Sequence, residues 1–407
     1  MKSTRTLVAS LVLVLAVALS ACSPAAAPTP QQVEVTRVVQ GTPEVLVVTA
    51  TPEAKPTELP AGSIQINGAG ATFPVPVYTE WIFAYSYVDP SVVINYQGIG
   101  SGGGKKAIID GTVNFAGSDS LLKDEERASA KGPLQMFPTV AGAVVPIFNL
   151  APEVTQTLAL NGPVLADIYQ GKIEKWNDPA IVALNPNENL PDQPISAVHR
   201  SDGSGTTEIF TKYLAAVSED WKNGPGAGSS IEWPVDAKGT GIGGRGNAGV
   251  ATSVTTTPYS IGYVELSYAT ANNIKYAELV NSAGKQLKAN PETLQSAMAD
   301  FGDAFDANLT IKSISNGPSA DSWPIAGYTY MIVPTDMPAD STYGCLTPQK
   351  YLDFVYWALT DPAAAKRAGS LGYATLPESV RAKVFDALAK VTCDGQPIQS
   401  IISTMGK

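Results

Sequence analysis

Short apolar runs alternate with amphipathic stretches from Ser63 onward, and this pattern predicts strands and helices in turn. SIQING is typical of a strand, and Pro74 then opens a predicted helix, VPVYTEWIFAYSY, because proline is favoured at the first helical position. VVINYQ, GGKKAIID and VNFAGS continue as strand, helix and strand. Units of about 30 residues in this order are typical of a doubly wound α/β sheet.

The same alternation continues to the end of the chain. LQMFPTVAGAVVPIFN predicts two further strands, and the strand PISAV is followed by a predicted helix, EIFTKYLAAV. YLDFVYWAL and ESVRAKVFDALAK predict helices that pack back on the first part of the fold. A length of 407 residues suits two domains, since one domain usually takes about 100–200 residues.

The first residues have the pattern of an export signal. Lys2 and Arg5 precede an apolar run that ends at Leu19, and this run is short for a membrane span of about 17–25 residues. Leu19-Ser20-Ala21-Cys22 resembles the bacterial lipobox, in which the cysteine becomes the lipidated first residue. We therefore expect a signal peptide at residues 1–21 and a lipid on Cys22. The alternative is an ordinary signal peptide with a chance cysteine.

Residues 22–62 differ in composition from the rest of the chain. Proline, threonine, alanine and valine dominate them, and such a stretch cannot form a packed core. VEVTRVV and EVLVVTA have strand propensity, and their similarity suggests a short duplication. We interpret the whole stretch as a stalk and these two segments as tether, not as paired strands.

Charge and cysteine content narrow the possible partners. The formal net charge is −10, so nucleic acid is excluded as an expected partner because its phosphates would be repelled. A small anion is still possible, since bulk charge is screened over about 8–10 Å at physiological salt. Export would leave Cys345 and Cys393 free to form one disulfide, and two separate buried thiols are the alternative.

Three polar, glycine-rich loops precede predicted helices: Gly68 to Phe73, Gly98 to Gly104, and His199 to Thr207. At a helix start several N–H groups have no partner, and the helix dipole adds roughly half a positive charge. Glycine allows a close approach of the backbone, and serine and threonine add hydroxyl donors. Together these features predict an anion site that needs no lysine.

The same motifs give weaker support to dinucleotide binding, catalysis or metal binding. Gly98, Gly100 and Gly103 also satisfy the dinucleotide fingerprint G-x-G-x-x-G, but nicotinamide cofactors are scarce outside the cell. The single histidine, His199, stands beside Arg200, which is a poor setting for a general base. Metal sites of the His/Cys type lack ligands. We therefore expect no enzyme activity, no catalytic residue, no metal and no cofactor.

Long ordered blocks of this sequence resemble the substrate-binding component of the bacterial phosphate-specific ABC transporter. The resemblance covers nearly all residues from Ser63 to about Lys390, and the stalk lies outside it. The matching blocks are GAGATFPVPVYTEW, NYQGIGSGGGKKAIIDGTVNFAGSDSLL, ADIYQGKIEKWNDPAI, RSDGSGTTEIFTKYLA, SIGYVELSYA and DSWPI. The loop KGTGIGGRGNAG is longer and richer in glycine than the family pattern.

The resemblance implies a type II periplasmic-binding-protein fold with two lobes. Each lobe would be a doubly wound sheet flanked by helices, and the ligand would lie in the cleft between them. The expected phosphate ligands are Ala71, Thr72, Phe73, Ser101, Asp119, Arg200, Ser204, Gly205 and Thr206. Asp202 would not contact phosphate itself but would orient the side chain of Arg200.

Asp119 has a physical reason to be in such a set. Phosphate still carries a proton at neutral pH whereas sulfate does not, so a carboxylate gains a charge-assisted hydrogen bond from phosphate only. A site built to pair a polar hydrogen can reject an analogue lacking it by about 10⁴–10⁵-fold. An Asx turn or a helix cap is the alternative role for Asp119, and a surface ion pair with Asp202 is the alternative for Arg200.

From these observations we expect lobe I at 63–139 plus 318–407 and lobe II at 140–317. The expected function is capture of inorganic phosphate outside the cytoplasm and delivery to the membrane permease of an ABC transporter, by a monomer anchored through its lipid to the outer face of the membrane. The alternatives are a binding protein for another tetrahedral oxyanion, an extracellular phosphate-ester hydrolase with the same cradle, and an adhesion or signalling module with a vestigial pocket.

Overall fold

The computed structural model describes residues 32–37, 44–49, 59–150, 157–302 and 304–404. The predicted signal peptide and Cys22 lie outside these ranges. The chain divides into two units, Met1–Glu58 and Leu59–Lys407.

The N-terminal unit contains a two-stranded antiparallel sheet. Strand β1 spans Gln32–Arg37 and strand β2 spans Glu44–Thr49, with Gln32 opposite Thr49. Our interpretation of these segments as unpaired tether was therefore wrong. The alternation of valine with polar residues, which favours strands, outweighs the loop-like composition around them.

The larger unit contains fifteen further strands among the described residues. They are β3 (Ile64–Gly70), β4 (Val92–Gly98), β5 (Phe115–Ser118), β6 (Leu134–Phe148), β7 (Ala159–Asn161), β8 (Ser196–Arg200), β9 (Gly241–Gly244), β10 (Ser260–Glu265), β11 (Glu278–Val280), β12 (Gln286–Leu287), β13 (Ala326–Pro334), β14 (Asp336–Met337), β15 (Ala374–Thr375), β16 (Thr392–Cys393) and β17 (Gln396–Pro397).

Fifteen helices accompany them in the described part of the chain. They are α1 (Val75–Val88), α2 (Ser101–Ile109), α3 (Asp124–Ser129), α4 (Gly162–Tyr169), α5 (Pro179–Leu184), α6 (Gly205–Val217), α7 (Glu219–Asn223), α8 (Pro234–Ala237), α9 (Gly246–Thr256), α10 (Leu266–Ala271), α11 (Pro291–Asp300), α12 (Leu346–Thr360), α13 (Pro362–Ser370), α14 (Glu378–Leu388) and α15 (Ile401–Thr404).

Eight of the strands form one continuous path, and β15 adds to β6 beside it. The order is β4-β3-β5-β13-β6-β10-β8-β9. β3 runs parallel to β4 and β5, and β8 runs parallel to β9 and β10. β13 and β6 run antiparallel to each other, and each is antiparallel to its other neighbour, β5 or β10. The carboxyl ends of the two parallel sets face each other across the middle of β6, since Ser118 at the end of β5 is level with Pro138 and Glu265 at the end of β10 lies opposite Val144. In such sheets helices begin at these strand ends.

Strand β6 is the element that joins the two ends of this path. Leu134 to Ala143 pair with β13, and Val144 to Phe148 pair with β10. We call the strands on the β13 side, with 134–143 of β6, the first half of the sheet. The strands on the β10 side, with 144–148, are the second half.

The prediction of two strands in LQMFPTVAGAVVPIFN was wrong, because one strand continues through it. Pro138, which has no N–H to donate, lies opposite Tyr330, and Val140 lies opposite Thr329. Thr139 is thus the extra residue of a bulge, which is where proline is tolerated inside a sheet.

The C-terminal helices pack on the first half of the sheet. The buried indole of Trp81 in α1 donates to the carbonyl of Ala364 in α13 at 2.9 Å. The rings of Tyr85 in α1 and Phe354 in α12 meet edge to face with centroids 5.2 Å apart. Packing of this kind fixes α1, and with it the loop that leads into α1.

Cys345 and Cys393 form a disulfide in this structure. The bond ties the residue before α12 to β16, across 48 residues of sequence. β16 pairs with β14 and β17 in a small three-stranded sheet. The disulfide therefore fastens the end of the chain to the start of a long helix, away from the parallel strand ends.

Candidate functional site

The three glycine-rich loops of the sequence meet where the two halves of the sheet face each other. Thr72 follows β3 and Ser101 starts α2, both in the first half, whereas Thr206 lies in the first turn of α6 in the second half. All three side chains are buried. The N–H of Gly102 donates to the carbonyl of Gly203 at 3.0 Å, so backbone contacts backbone across the halves.

The hydroxyl of Ser101 is the centre of this contact. It accepts from the N–H of Asp119 at 3.1 Å and from the N–H of Gly205 at 3.1 Å, and it donates to the Asp119 carboxylate at 3.3 Å. Gly205 is required by this approach, because a Cβ there would lie 2.5 Å from the Cβ of Asp119. Ser101 therefore joins a loop of one half to a helix start of the other.

Arg200 is the buried cation of the site. Its Nε and Nη2 donate to the two oxygens of Asp202 at 2.7 and 2.6 Å, and the N–H of Gly246 also donates to Asp202 at 3.0 Å. Burial alone would raise the pKa of Asp202, but the bonds from Arg200 outweigh it and hold that pKa below its usual value. Nη1 of Arg200 is buried and has no partner among the described residues.

Asp119 follows β5 and is buried, and the charge of Arg200 acts on its carboxylate. Its Oδ1 is buried and has no partner in the described part of the chain. Burial raises the pKa of Asp119 to about 7, although the nearby Thr329 hydroxyl, Arg200 and Ser101 each favour the charged form. The Thr329 hydroxyl lies near the carboxylate without meeting hydrogen-bond geometry.

Buried polar atoms without a partner are costly, so those that persist indicate a functional site or stored strain. Six such side-chain atoms occur in the described residues. They are Asp119 Oδ1, Gln170 Nε2, Arg200 Nη1, Glu265 Oε1, Thr329 Oγ1 and Thr347 Oγ1. Two of the six, Asp119 Oδ1 and Arg200 Nη1, belong to residues that the sequence predicts as phosphate ligands.

The start of α6 supplies further donors. The Ser204 hydroxyl caps the helix by accepting from the N–H of Thr207 at 3.0 Å. The N–H of Gly205 donates to Ser101, whereas the N–H of Thr206 has no acceptor among the described residues. The positive end of the helix dipole lies at the same place. This helix start therefore suits an anion.

The N–H groups of the loop between β3 and α1 fall into two sets, one bonded to the sheet and one without an acceptor among the described residues. The N–H of Ala71 donates to the carbonyl of Gly117 at 2.8 Å, so this predicted ligand is engaged by the sheet. Within the described part of the chain, the N–H groups of Thr72 and Phe73 have no acceptor. Pro74, which we expected inside the helix, is instead the residue before it.

Three tyrosines hold the carbonyls of this loop, and the sequence did not suggest any of them. Tyr96 donates to the carbonyl of Ala71 at 3.0 Å, Tyr268 to Thr72 at 2.6 Å, and Tyr373 to Phe73 at 2.7 Å. In a trans peptide the N–H points away from the preceding carbonyl. Holding the first two carbonyls therefore aims the N–H groups of Thr72 and Phe73 in the opposite direction.

Asn247, in the first turn of α9, is the other residue that the sequence did not suggest. Its amide donates to the hydroxyls of Thr72 at 2.8 Å and Thr206 at 3.2 Å. The only available signal was its position in a fourth glycine-rich stretch ahead of a helix. The tyrosines gave no signal, because they come from separate elements that only the fold brings together.

The single histidine of the chain, His199, is held by its neighbours. Both ring nitrogens of His199 are engaged, one with Asp236 at 2.8 Å and the other with the carbonyl of Arg200 at 3.1 Å. The imidazole also stacks on Trp233, with ring centroids 4.9 Å apart. The described residues contain no group of three or more His, Cys, Asp or Glu side chains placed to hold a metal ion.

Comparisons with known proteins agree with one another. Residues 50–362 match the family model described as a PBP superfamily domain. A phosphate-binding protein PstS from Xylella fastidiosa is 40% identical over 82% of this chain and 86% of its own length. The PstS proteins of Pasteurella multocida and Methanocaldococcus jannaschii are 42% and 37% identical, each over 78% of this chain and over 88% and 84% of their own lengths.

Solved structures share the fold at lower identity. A high-affinity periplasmic phosphate-binding protein bound with phosphate aligns with a TM-score of 0.60 and 20% identity, over 79% of this chain and 93% of that one. A human phosphate-binding apolipoprotein aligns with a TM-score of 0.61 and 21% identity, over the same shares. These two likenesses concern the fold alone.

Proposed function

This chain belongs to the phosphate-binding proteins of the PBP superfamily, and from that premise we propose how it works. It binds inorganic phosphate and delivers it to a phosphate ABC transporter. The observation that carries the proposal is a pair of buried atoms, Asp119 Oδ1 and Arg200 Nη1, that have no hydrogen-bond partner in the described part of the chain. One is an acceptor when ionised, the other is a cationic donor, and a protonated oxyanion between them would pair with both.

The proposed ligand set follows the donors of the site. The N–H groups of Thr72 and Phe73 and that of Thr206 need acceptors, and oxygens of phosphate can supply them. Ser101 starts α2 and Ser204 caps α6, so their hydroxyls add to these donors, although in this arrangement the Ser101 hydrogen is directed to Asp119. Gly205 contributes by letting Asp119 and Ser101 approach the start of α6, since its own N–H is engaged by the Ser101 hydroxyl. Ala71 contributes through its place in the loop, since its own N–H is engaged.

Asp119 makes the site prefer phosphate over fully deprotonated tetrahedral anions. Its carboxylate accepts the proton that phosphate carries, while a fully deprotonated tetrahedral anion would present only lone pairs to it. The alternative of another oxyanion therefore has less support than phosphate. The relatives are named as binding proteins, so the hydrolase alternative has no support from them either.

We propose that the two halves of the sheet are the cores of two lobes that close on the ion. The boundaries from the sequence are 63–139 plus 318–407 for lobe I and 140–317 for lobe II. The change of partner along β6, between Ala143 and Val144, supports a hinge close to the first of these boundaries. Closure around the ion would present one fixed shape to the permease.

Export and anchoring are also proposals. Lys2, Arg5 and the apolar run before Cys22 support a cleaved signal and a lipid on that cysteine. None of the helices in the described residues is long and apolar enough to cross a membrane. We propose a monomer that is held at the outer face of the membrane by its lipid.

Calorimetric titration of the full chain, stripped of co-purified ligand, tests the function. We expect one saturable site for phosphate and no measurable heat with sulfate at pH 8. Asp119→Asn should weaken phosphate binding and lose much of a preference that can reach about 10⁴-fold. Absence of phosphate binding by the wild-type chain would refute the proposal, and hydrolysis of a chromogenic phosphate ester would favour the hydrolase instead.

A further inference from the structure

Asn247 makes more hydrogen bonds at the site than its place in the sequence suggests. Its side chain is fully buried. Its Oδ1 accepts from the backbone N–H of Glu265 at 3.0 Å, and its Nδ2 donates to the hydroxyls of Thr72 at 2.8 Å and Thr206 at 3.2 Å. Its own backbone N–H also donates to the Thr72 hydroxyl at 3.1 Å.

The orientation of the amide follows from these partners. A backbone N–H can only donate, so the atom facing Glu265 must be the oxygen of the Asn247 amide. The nitrogen must then face the two threonines. Both of its hydrogens are used, one on each hydroxyl.

This orientation settles the direction of the hydroxyl hydrogens. A hydroxyl has one hydrogen and two lone pairs. Both lone pairs of Thr72 Oγ1 accept from Asn247, so the hydrogen must leave in another direction. Thr206 Oγ1 accepts one bond from Asn247, so its hydrogen is also directed away from the amide.

We propose that Asn247 is a positioning residue that turns the hydroxyl hydrogens of Thr72 and Thr206 towards the bound oxyanion, and that it does so only when the two halves of the sheet are closed. This inference rests on the proposed function. It adds a reason why two hydroxyls, each able to donate or accept, act as donors together. It also makes closure and donor alignment one event, because Thr72 belongs to the first half while Asn247 and Thr206 belong to the second.

The test is calorimetric titration of the full chain with phosphate, using Asn247→Ala in two backgrounds. In the wild-type background we expect affinity to fall about 10- to 100-fold, as for lost hydrogen bonds to a charged group. In a background carrying Thr72→Val and Thr206→Val, which have no hydroxyl hydrogens to direct, the same change should cost less than about 3-fold. Thr72→Ser with Thr206→Ser should restore the larger effect.

Asn185→Leu is the matched control. Asn185 is also a buried asparagine with three hydrogen bonds, but its partners are Ala159 and Ile181. We expect this variant to unfold at a lower temperature and to bind phosphate like the wild type. If Asn247→Ala does not fold, Asn247→Asp replaces it, because it keeps the side-chain volume and the bond from Glu265. Its carboxylate would draw both hydroxyl hydrogens to itself, and we expect a loss above 100-fold.

The outcomes separate the two proposals. If the wild-type chain does not bind phosphate, the proposed function fails. If the wild type binds and an Asn247 variant binds equally well, the role of Asn247 is refuted. Equal losses in the two backgrounds would also refute it, since Asn247 would then act on the fold and not through the hydroxyls.

Discussion

Asp119 combines two properties that a simple surface carboxylate does not have. The charge of the buried Arg200 acts on it, and burial raises its pKa to about 7. Above that pKa it is a carboxylate that accepts the proton of phosphate. Below that pKa it is a protonated acid that can donate, and sulfate then becomes an acceptable partner.

Sulfate affinity should therefore rise as the pH falls through about 7. Competition calorimetry at pH 5.5 and pH 8.5 measures the ratio of the phosphate and sulfate affinities. We expect this ratio to fall at least about 100-fold at the lower pH, as a charge repulsion is replaced by a hydrogen bond. Asp119→Asn, which does not titrate, should show a much smaller change, which then comes from the second ionisation of phosphate itself between these two pH values. A constant ratio in the wild-type chain would contradict the role given to Asp119.

The loop between β3 and α1 shows how an element supplies donors without a charged side chain. Three tyrosines fix its carbonyls, and the planar peptide bonds transmit that orientation to the N–H groups of Thr72 and Phe73. Each tyrosine comes from a different part of the chain. The loop is therefore aligned by its neighbours and not by its own sequence.

Tyr268→Phe should weaken phosphate binding because it frees the carbonyl of Thr72 and loosens the N–H of Phe73. The loss of one neutral hydrogen bond predicts about a 2- to 10-fold fall in affinity. Titration with phosphate measures it. Tyr169→Phe is a suitable control, since Tyr169 is buried and donates to the carbonyl of Val198 at 3.1 Å, in the second half of the sheet. A similar loss of affinity in both variants would argue against alignment of the loop.

The elements also show what the sequence could predict. Glycine, serine and threonine ahead of amphipathic runs predicted helices from Gly103 and Glu208, and the structure begins them slightly earlier, at Ser101 and Gly205, inside the predicted loops. Strand β6 was predicted as two strands, whereas it continues through a bulge at Thr139 that only its pairing with β13 reveals. The pairing of β1 with β2 depends on contacts between segments that composition alone does not describe.

The same limit applies to the site. Asp119 and Arg200 entered the predicted ligand set through the resemblance to the phosphate-binding family, because the residues alone left a turn or cap role for Asp119 and a surface ion pair for Arg200 open. Asn247 acts through its bonds to Thr72 and Thr206, and Tyr373 through its bond to the carbonyl of Phe73. These contacts exist only once distant segments are brought together. Their partners are backbone carbonyls and hydroxyls, which every loop possesses. Nothing in local sequence distinguishes such residues from ordinary core polar groups.

At the scale of the whole molecule, the two halves of the sheet contact each other through backbone as well as side chains. Gly102 at the start of α2 and Gly203 ahead of α6 lie face to face. A Cβ added to either glycine would lie 3.3 Å from the Cα of the other. Neither glycine has a positive φ, so both positions accept a side chain without backbone strain.

Cysteines at both positions should therefore form a disulfide when the halves are closed, since a disulfide needs Cβ atoms about 3.5–4.5 Å apart. Gly102→Cys combined with Gly203→Cys, oxidised with phosphate present, should retain phosphate through prolonged dialysis. The same variant oxidised without phosphate should fail to bind it. Reductant should restore normal exchange in both cases, and equilibrium dialysis with radiolabelled phosphate measures each state.

The single variants Gly102→Cys and Gly203→Cys are the controls. They carry the same added thiols and the same Cys345–Cys393 bond through every oxidation and reduction, so any effect of reductant on that native bond appears in them as well. If the cross-link forms and phosphate still exchanges at the wild-type rate, opening of the halves is not the route by which the ion enters. If the cross-link cannot be formed with phosphate bound, the bound state does not bring Gly102 and Gly203 together. Slow exchange that only the double variant shows, and that reductant reverses, would identify movement about β6 as the step that admits and releases phosphate.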